Sequence, residues 1–264
     1  MSTIADFVEF FARHTPPRLA ADWDNVGLLV GDATRQVSRV LTCLTVTDAT
    51  VQEAIDMGAN LLISHHPFPF KAEKRWTADT TTGRLLLALI EHKIAVYSPH
   101  TAFDSAELGI NQQLATRLGL TGIQPLAPDP TEPTSGIGRQ GNAPPVTTLG
   151  DLAATACQQL SLSSAHIVGD PARPVTRVGV GCGAADELLG IAMRLGCDCF
   201  VTGEARFHTA LAAAANQMTM LLLGHYASER FAVEELARVL GKEFTMAQIT
   251  ASAKEADPLV LWRP

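Results

Sequence analysis

Ala54-Ile55-Asp56-Met57-Gly58-Ala59-Asn60-Leu61-Leu62-Ile63-Ser64 reads as the end of a helix, a glycine stop and a buried strand. Glycine just past a helix supplies the left-handed turn that ends it. A short Leu-Leu-Ile run bounded by turn residues is strand chemistry. With a slight slip of register in the helix, the same pattern recurs in Ala192-Met193-Arg194-Leu195-Gly196-Cys197-Asp198-Cys199-Phe200-Val201-Thr202. A second pair of segments repeats as well. Ile94-Ala95-Val96-Tyr97-Ser98-Pro99-His100-Thr101-Ala102-Phe103-Asp104 and Met220-Leu221-Leu222-Leu223-Gly224-His225-Tyr226-Ala227-Ser228-Glu229 each give a strand, then His-x-x-x-acid, then a helix. Internal repetition dictates architecture, and here it predicts a duplicated α/β unit.

Outward from these segments the alternation continues. Strands are expected at Val37–Val46, Asn60–Ser64, Ile94–Tyr97, His166–Val168, Val175–Val180, Cys199–Thr202, Met220–Leu223 and Glu243–Ile249. Helices are expected at Ala49–Met57, Gly83–Glu91, Ala106–Leu118, Leu149–Leu160, Ala184–Leu195, Ala205–Ala214 and Ala227–Leu240. Ile4, Phe7, Val8 and Phe11 fall at helical spacing and predict an amphipathic first helix rather than a targeting segment. Strand–helix alternation implies largely parallel sheets flanked by helices. Residues 121–150 break it with six prolines and three mid-segment glycines, which is linker chemistry. The expected division is therefore a first half at 1–120, a linker at 121–150 and a second half at 151–264.

The chain has 264 residues, 47% hydrophobic and 18% charged, with a formal net charge of −7. That composition supports a full-sized core. The negative balance and the lack of a Lys/Arg cluster argue against nucleic acid as a partner, and no apolar run is long enough to span a membrane. Five scattered cysteines fit reduced thiols in the cytoplasm, and Cys197-Asp198-Cys199 reads as core packing rather than a metal pair.

The strand ending at Ser64 runs into His65-His66-Pro67. Imidazole is the commonest protein ligand for transition metals, and strand ends are where α/β sheets build their sites. With the two His-x-x-x-acid turns, the chain has nitrogen and oxygen ligands for two divalent cations, a set suited to zinc, iron or manganese. Each residue also has a plainer reading. Asp104 with Glu107 forms a capping-box pattern, Glu229 suits a helix first turn, His225 fits a core histidine, and His65-His66 fits a loop. Gly179-Val180-Gly181-Cys182-Gly183-Ala184-Ala185 can hold a phosphate on free amides or let a helix pack tightly on a strand, and the second reading is preferred. Asp24, Asn25 and Gly27 read as a turn seating the first helix or as a loop reaching the cleft, His208 as a surface residue or one pointing into the cleft, and His14, His92 and His166 as surface or loop residues.

Taken together, Asp24-Asn25-Val26-Gly27-Leu28-Leu29-Val30-Gly31, Ser64-His65-His66-Pro67, His100-Thr101-Ala102-Phe103-Asp104, Thr202-Gly203-Glu204 through His208, and Gly224-His225-Tyr226-Ala227-Ser228-Glu229 resemble the Nif-three-like family. Bacterial members of that family are often labelled GTP cyclohydrolase 1 type 2 homologues. The resemblance implies a Nif3-like fold and a dinuclear metal centre whose ligands fall on His65, His66, Asp104, His225 and Glu229, with Glu229 bridging. It also implies a hexameric ring. His100 matches the motif outside the expected ligands and is a candidate catalytic acid–base or substrate contact. Glu204 departs from the family's usual aspartate. The expected function is metal-dependent hydrolysis of a small-molecule C–N or phosphoester centre. The alternative is a non-catalytic metal-binding regulator, carrier or interaction module.

Overall fold

Leu61–Ser64 and Ala95–Ser98 are buried at every position, as apolar strands covered on both faces must be. They sit inside a five-stranded sheet in a computed structural model that describes residues 2–262. The first run of elements is α1 (Ile4–His14), β1 (Gly27–Val30), β2 (Arg39–Cys43), α2 (Asp48–Asp56), β3 (Leu61–Ser64), α3 (Thr81–Glu91), β4 (Ala95–Ser98) and α4 (His100–Ser105). Next come α5 (Ile110–Arg117), β5 (Thr121–Gln124), β6 (Ala127–Pro128), β7 (Gly136–Ile137) and β8 (Arg139–Asn142). The second run is α6 (Leu149–Gln159), β9 (His166–Val168), β10 (Arg177–Gly181), α7 (Leu189–Arg194), β11 (Cys199–Thr202), α8 (Phe207–Ala215), β12 (Thr219–Leu222) and α9 (His225–Glu243), and β13 (Gln248–Ala251) follows it.

The two runs share one topology. The first sheet has the order β1-β4-β3-β2-β13 and the second contains β9-β12-β11-β10. In each, three consecutive strands are parallel and the run's own first strand lies antiparallel against its last. The repeat extends to detail. Thr3 with Asp6 and Thr148 with Asp151 form matching capping boxes at the first helix of each run. Asn60 accepts from the amides of Ser38 and Arg39, and Asp198 accepts from those of Thr176 and Arg177. Strand register pairs Cys43 with Ser64 and Gly181 with Thr202. By the same register Tyr97 answers to Leu221, so His100 corresponds to Gly224 and His225 to Thr101. The two His-x-x-x-acid turns are thus offset by one residue, a slip that sequence comparison alone does not reveal.

The chain divides into two compact units at boundaries other than those expected from sequence. Unit one takes the residues up to Ala102 and those from Ala232 onward, and unit two takes Phe103–Phe231. The C-terminal segment joins unit one because β13 pairs in parallel with β2. Residues 121–150 are not a linker: β8 pairs antiparallel with β10, and β5 with β8. Arg139, inside that segment, is wholly buried. Its guanidinium donates to Gln112 Oε1, to the carbonyls of Gly136 and Gly138, and to Ala106 O at the end of α4. The expected helix Ala106–Leu118 is broken because Gly109 turns the chain tightly against the Phe103 carbonyl, leaving no room for a Cβ.

Unit one has a core of Leu41, Val51, Leu62, Leu89 and Val96 among others, and unit two one of Leu189, Ala192, Phe200 and Met220 among others. No helix among the described residues is long and apolar enough to cross a membrane.

Candidate metal centre

In unit one, β3 hands the chain to His65 and His66, whose backbone amides donate to Cys43 O and Leu44 O at 2.9 and 2.8 Å. Ser98 Oγ donates to His65 O, and Ser64 Oγ to His66 O. The pair is therefore fixed by backbone before any side chain acts. His66 Nδ1 lies 2.8 Å from Thr45 Oγ1. His100, at the start of α4, joins them: the rings are 5.1 Å (His65–His66), 5.1 Å (His65–His100) and 5.6 Å (His66–His100) apart. One ring nitrogen from each lies within 4.8 Å of the other two. Three converging imidazole nitrogens match the donors that zinc, iron and manganese accept, so the group fits a divalent ion.

His100 is held by Asp24 rather than by its own strand. Asp24 Oδ1 lies 2.7 Å from His100 Nδ1, and Asp24 Oδ2 accepts from the Thr101 amide and hydroxyl. Burial pushes this carboxyl up, but the hydrogen bonds from His100 and Thr101 outweigh it and hold it near a pKa of about 2. Asp24 thus seats α4 rather than the first helix, and its loop reaches the clustered imidazoles.

In unit two, α9 presents His225 and Glu229 one turn apart. His225 Nε2 is 3.2 Å from Glu229 Oε2, and Nδ1 is 2.9 Å from Glu204 Oε1. The hydrogen bond with Glu229 outweighs the opposing effect of burial and, with that from Glu204, lifts the imidazole to about 9. Two carboxylates facing one ring form a site that demands positive charge. Glu229 is 3% exposed and His225 half-buried. Asp104, on α4, accepts from Cys182 Sγ at 3.3 Å. Burial, then Asp104 and Glu229, push the Cys182 thiol well above its ordinary range. Asp104 does not act as the capping residue its sequence suggests: it lies inside α4, and α5 is capped at Gly109.

Two amides of the glycine-rich turn are used within the fold. Cys182 N donates to Asn111 Oδ1 and Gly183 N to Ser228 Oγ. A Cβ at Gly181 would stand 2.7 Å from Ala185 Cβ, so the glycines serve close packing. Cys197 and Cys199 are also packed, and burial raises their thiols to about 11 and about 12. A thiol reagent should label Cys157 quickly and Cys43, Cys182, Cys197 and Cys199 only on unfolding. Labelling of Cys197 or Cys199 in the folded protein at the rate of Cys157 would contradict that packing. His14, His92, His166 and His208 are exposed.

Sequence reasoning singled out every imidazole and carboxylate of these groups except Asp24 as an anchor for His100 and Glu204 as a partner of His225. Both stood in quoted motifs, but only the fold brings Asp24 to a residue 76 positions away.

A duplicated α/β fold with clustered imidazoles in one unit and a carboxylate–imidazole–carboxylate array in the other defines a candidate metal-binding protein. The family model described as Duf34/NIF3 (NGG1p interacting factor 3) matches residues 2–258. The chain belongs to that family. A Streptomyces coelicolor protein named GTP cyclohydrolase 1 type 2 homolog is 36% identical over 219 residues, covering 81% of this chain and 77% of its own. The NIF3-like protein 1 of Drosophila melanogaster is 32% identical over 266 residues, covering 97% and 88%. Among solved structures, a Staphylococcus aureus protein superposes with a TM-score of 0.90 at 28% identity over 99% of each chain.

Proposed function

We propose that this protein is a metal-dependent hydrolase with a dinuclear divalent-metal centre, its ligands being His65 and His66 of unit one and Asp104, His225 and Glu229 of unit two. The observation that carries the reading is the placing of two proposed ligands, His65 and His66, with a ring nitrogen of each within 4.8 Å of the other. When bound, two zinc, iron or manganese ions supply an activated water and a counter-charge for a developing oxyanion. The chain's own residues do the rest. Thr45 steadies His66, Asp24 holds His100, and Glu204 holds His225 so that its other nitrogen faces Glu229. Trp23 and Phe70, 66% and 47% exposed, stand edge-on to His100 with ring centroids 6.0 and 6.3 Å away. Exposed aromatic rings there offer a planar substrate a face to stack on, which suits a cyclic C–N or phosphoester substrate and accords with the cyclohydrolase name that relatives carry.

The test is elemental analysis of protein purified without chelator, joined to a turnover screen of nucleotides, cyclic amides and phosphoesters. Two divalent ions per chain are expected, and His65→Ala or Glu229→Ala should lose metal and turnover together. Full metal content in Glu229→Ala would overturn the ligand assignment. Metal with no turnover of any substrate would favour a regulator, carrier or interaction module instead. The reading includes a cytoplasmic setting, in keeping with five free cysteines, and a hexameric ring, which sedimentation equilibrium tests.

A further inference from the structure

We propose that the open edge of the first sheet is a docking site for segment 258–262 of a second copy of this chain, which adds there as an extra strand. The inference does not depend on the metal-binding reading above. β1 is an outer strand, paired with β4 and with no other strand among the described residues. An outer strand offers a row of backbone donors and acceptors to any extended segment. A groove of about 750 Å³ lies beside it, lined by Leu28, Val30, Phe70, Trp76, Leu86 and Ile90. Ile90 is 54% exposed and Phe70 stands out as well. A bare apolar patch along a sheet edge marks an interaction site.

The chain itself carries a matching segment. Leu259, Val260, Leu261 and Trp262 are 77, 86, 56 and 79% exposed, four successive apolar side chains outside any helix or strand. On an added strand alternate residues face the same side, so Val260 and Trp262, or Leu259 and Leu261, enter the groove together while the backbone pairs with β1. Charge agrees with this. The loop beside the groove carries exposed Lys71, Lys74 and Arg75 against one acid, Glu73, and the segment follows directly on Asp257.

Reach assigns the segment to a second copy rather than to its own chain. The Glu255 carboxylate accepts from the amides of Leu44 and Thr45 at the end of β2, which ties the chain there. In the order β1-β4-β3-β2, a strand added outside β1 stands roughly 19 Å from β2 at the usual spacing. The stretch from Glu255 to Leu259 spans only about 14 Å when fully extended.

The test is disulfide trapping in full-length chains carrying Cys157→Ala, which removes the partly exposed thiol and leaves the buried ones. Chains with Val260→Cys are mixed with chains of distinguishable mass and treated with oxidised glutathione. The second chain carries Ala72→Cys or Ile90→Cys in the groove or, as a control, Leu211→Cys, which is exposed on α8. A mixed disulfide dimer is expected with Ala72→Cys or Ile90→Cys, forming much faster than with Leu211→Cys. Trp262→Asp in the Val260→Cys chain should slow it roughly tenfold or more, as loss of an aromatic anchor does. Equal rates at all three positions, or a rate unchanged by Trp262→Asp, would overturn the proposal. An intrachain disulfide in dilute Val260→Cys/Ile90→Cys protein would overturn it too, by placing the segment on its own chain.

Discussion

Arg139→Met should lower the stability of the protein by roughly 3–5 kcal/mol, a large share of the 5–15 kcal/mol typical of a folded domain. The side chain is fully enclosed, and burial depresses its guanidinium only to about 10, so it stays charged at neutral pH. It donates to three backbone carbonyls at 2.7 Å and to Gln112 Oε1 at 3.0 Å. Methionine fills much of the volume but donates nothing, and each buried acceptor left without its donor costs about 1–3 kcal/mol. Arg139→Lys should fall between, since an ammonium cannot reproduce the planar fork. Urea unfolding followed by circular dichroism gives the comparison. A midpoint shift worth less than about 1 kcal/mol in Arg139→Met would show that these carbonyls find other donors.

Gly183→Ala should strip metal from the protein while Gly196→Ala leaves it in place. Both glycines have a left-handed backbone, φ 60° and 76°, so alanine at either should cost on the order of 1 kcal/mol. Their surroundings differ. A Cβ at Gly196 meets nothing within 4 Å, whereas one at Gly183 collides with Glu229 Oε1 and stands 3.3 Å from His225 Nε2. The carboxylate must move, and with it a proposed ligand. Similar losses of thermal stability in the two variants, with metal content reduced only in Gly183→Ala, are the expected result. Full metal content in Gly183→Ala would mean that the placement of Glu229 is irrelevant to binding.

What the sequence reveals and what it hides have separate physical causes. Strands such as Cys199–Thr202 and His166–Val168 are found at the expected residues because each lies between clear turn signals. The duplication is legible because glycine stops and strand-entry Asn60 and Asp198 are local devices repeated at one spacing. The 121–150 segment is hidden because Arg139-Gln140-Gly141-Asn142 has no apolar alternation. Its partners across the sheet and the buried Arg139 network hold it as a strand. The candidate ligands are visible as residue types at strand ends. The Asp24–His100 bond is not, because nothing local marks a long-range side-chain pair, and the one-residue offset between the turns is visible only in strand register.

The path of the chain has one more consequence. It leaves unit one after Ala102, inside α4, and returns at Ala232, inside α9, so the covalent links between the units are the two helices that carry His100, Asp104, His225 and Glu229. The first and last described residues belong to one unit, and the other is spliced into its middle. A cut at residue 120 or 150 would leave the first fragment without β13 and expose the open edge of β2. Built from two like halves, the molecule can no longer be divided back into them, and any break that separates its units also cuts a helix bearing its proposed ligands.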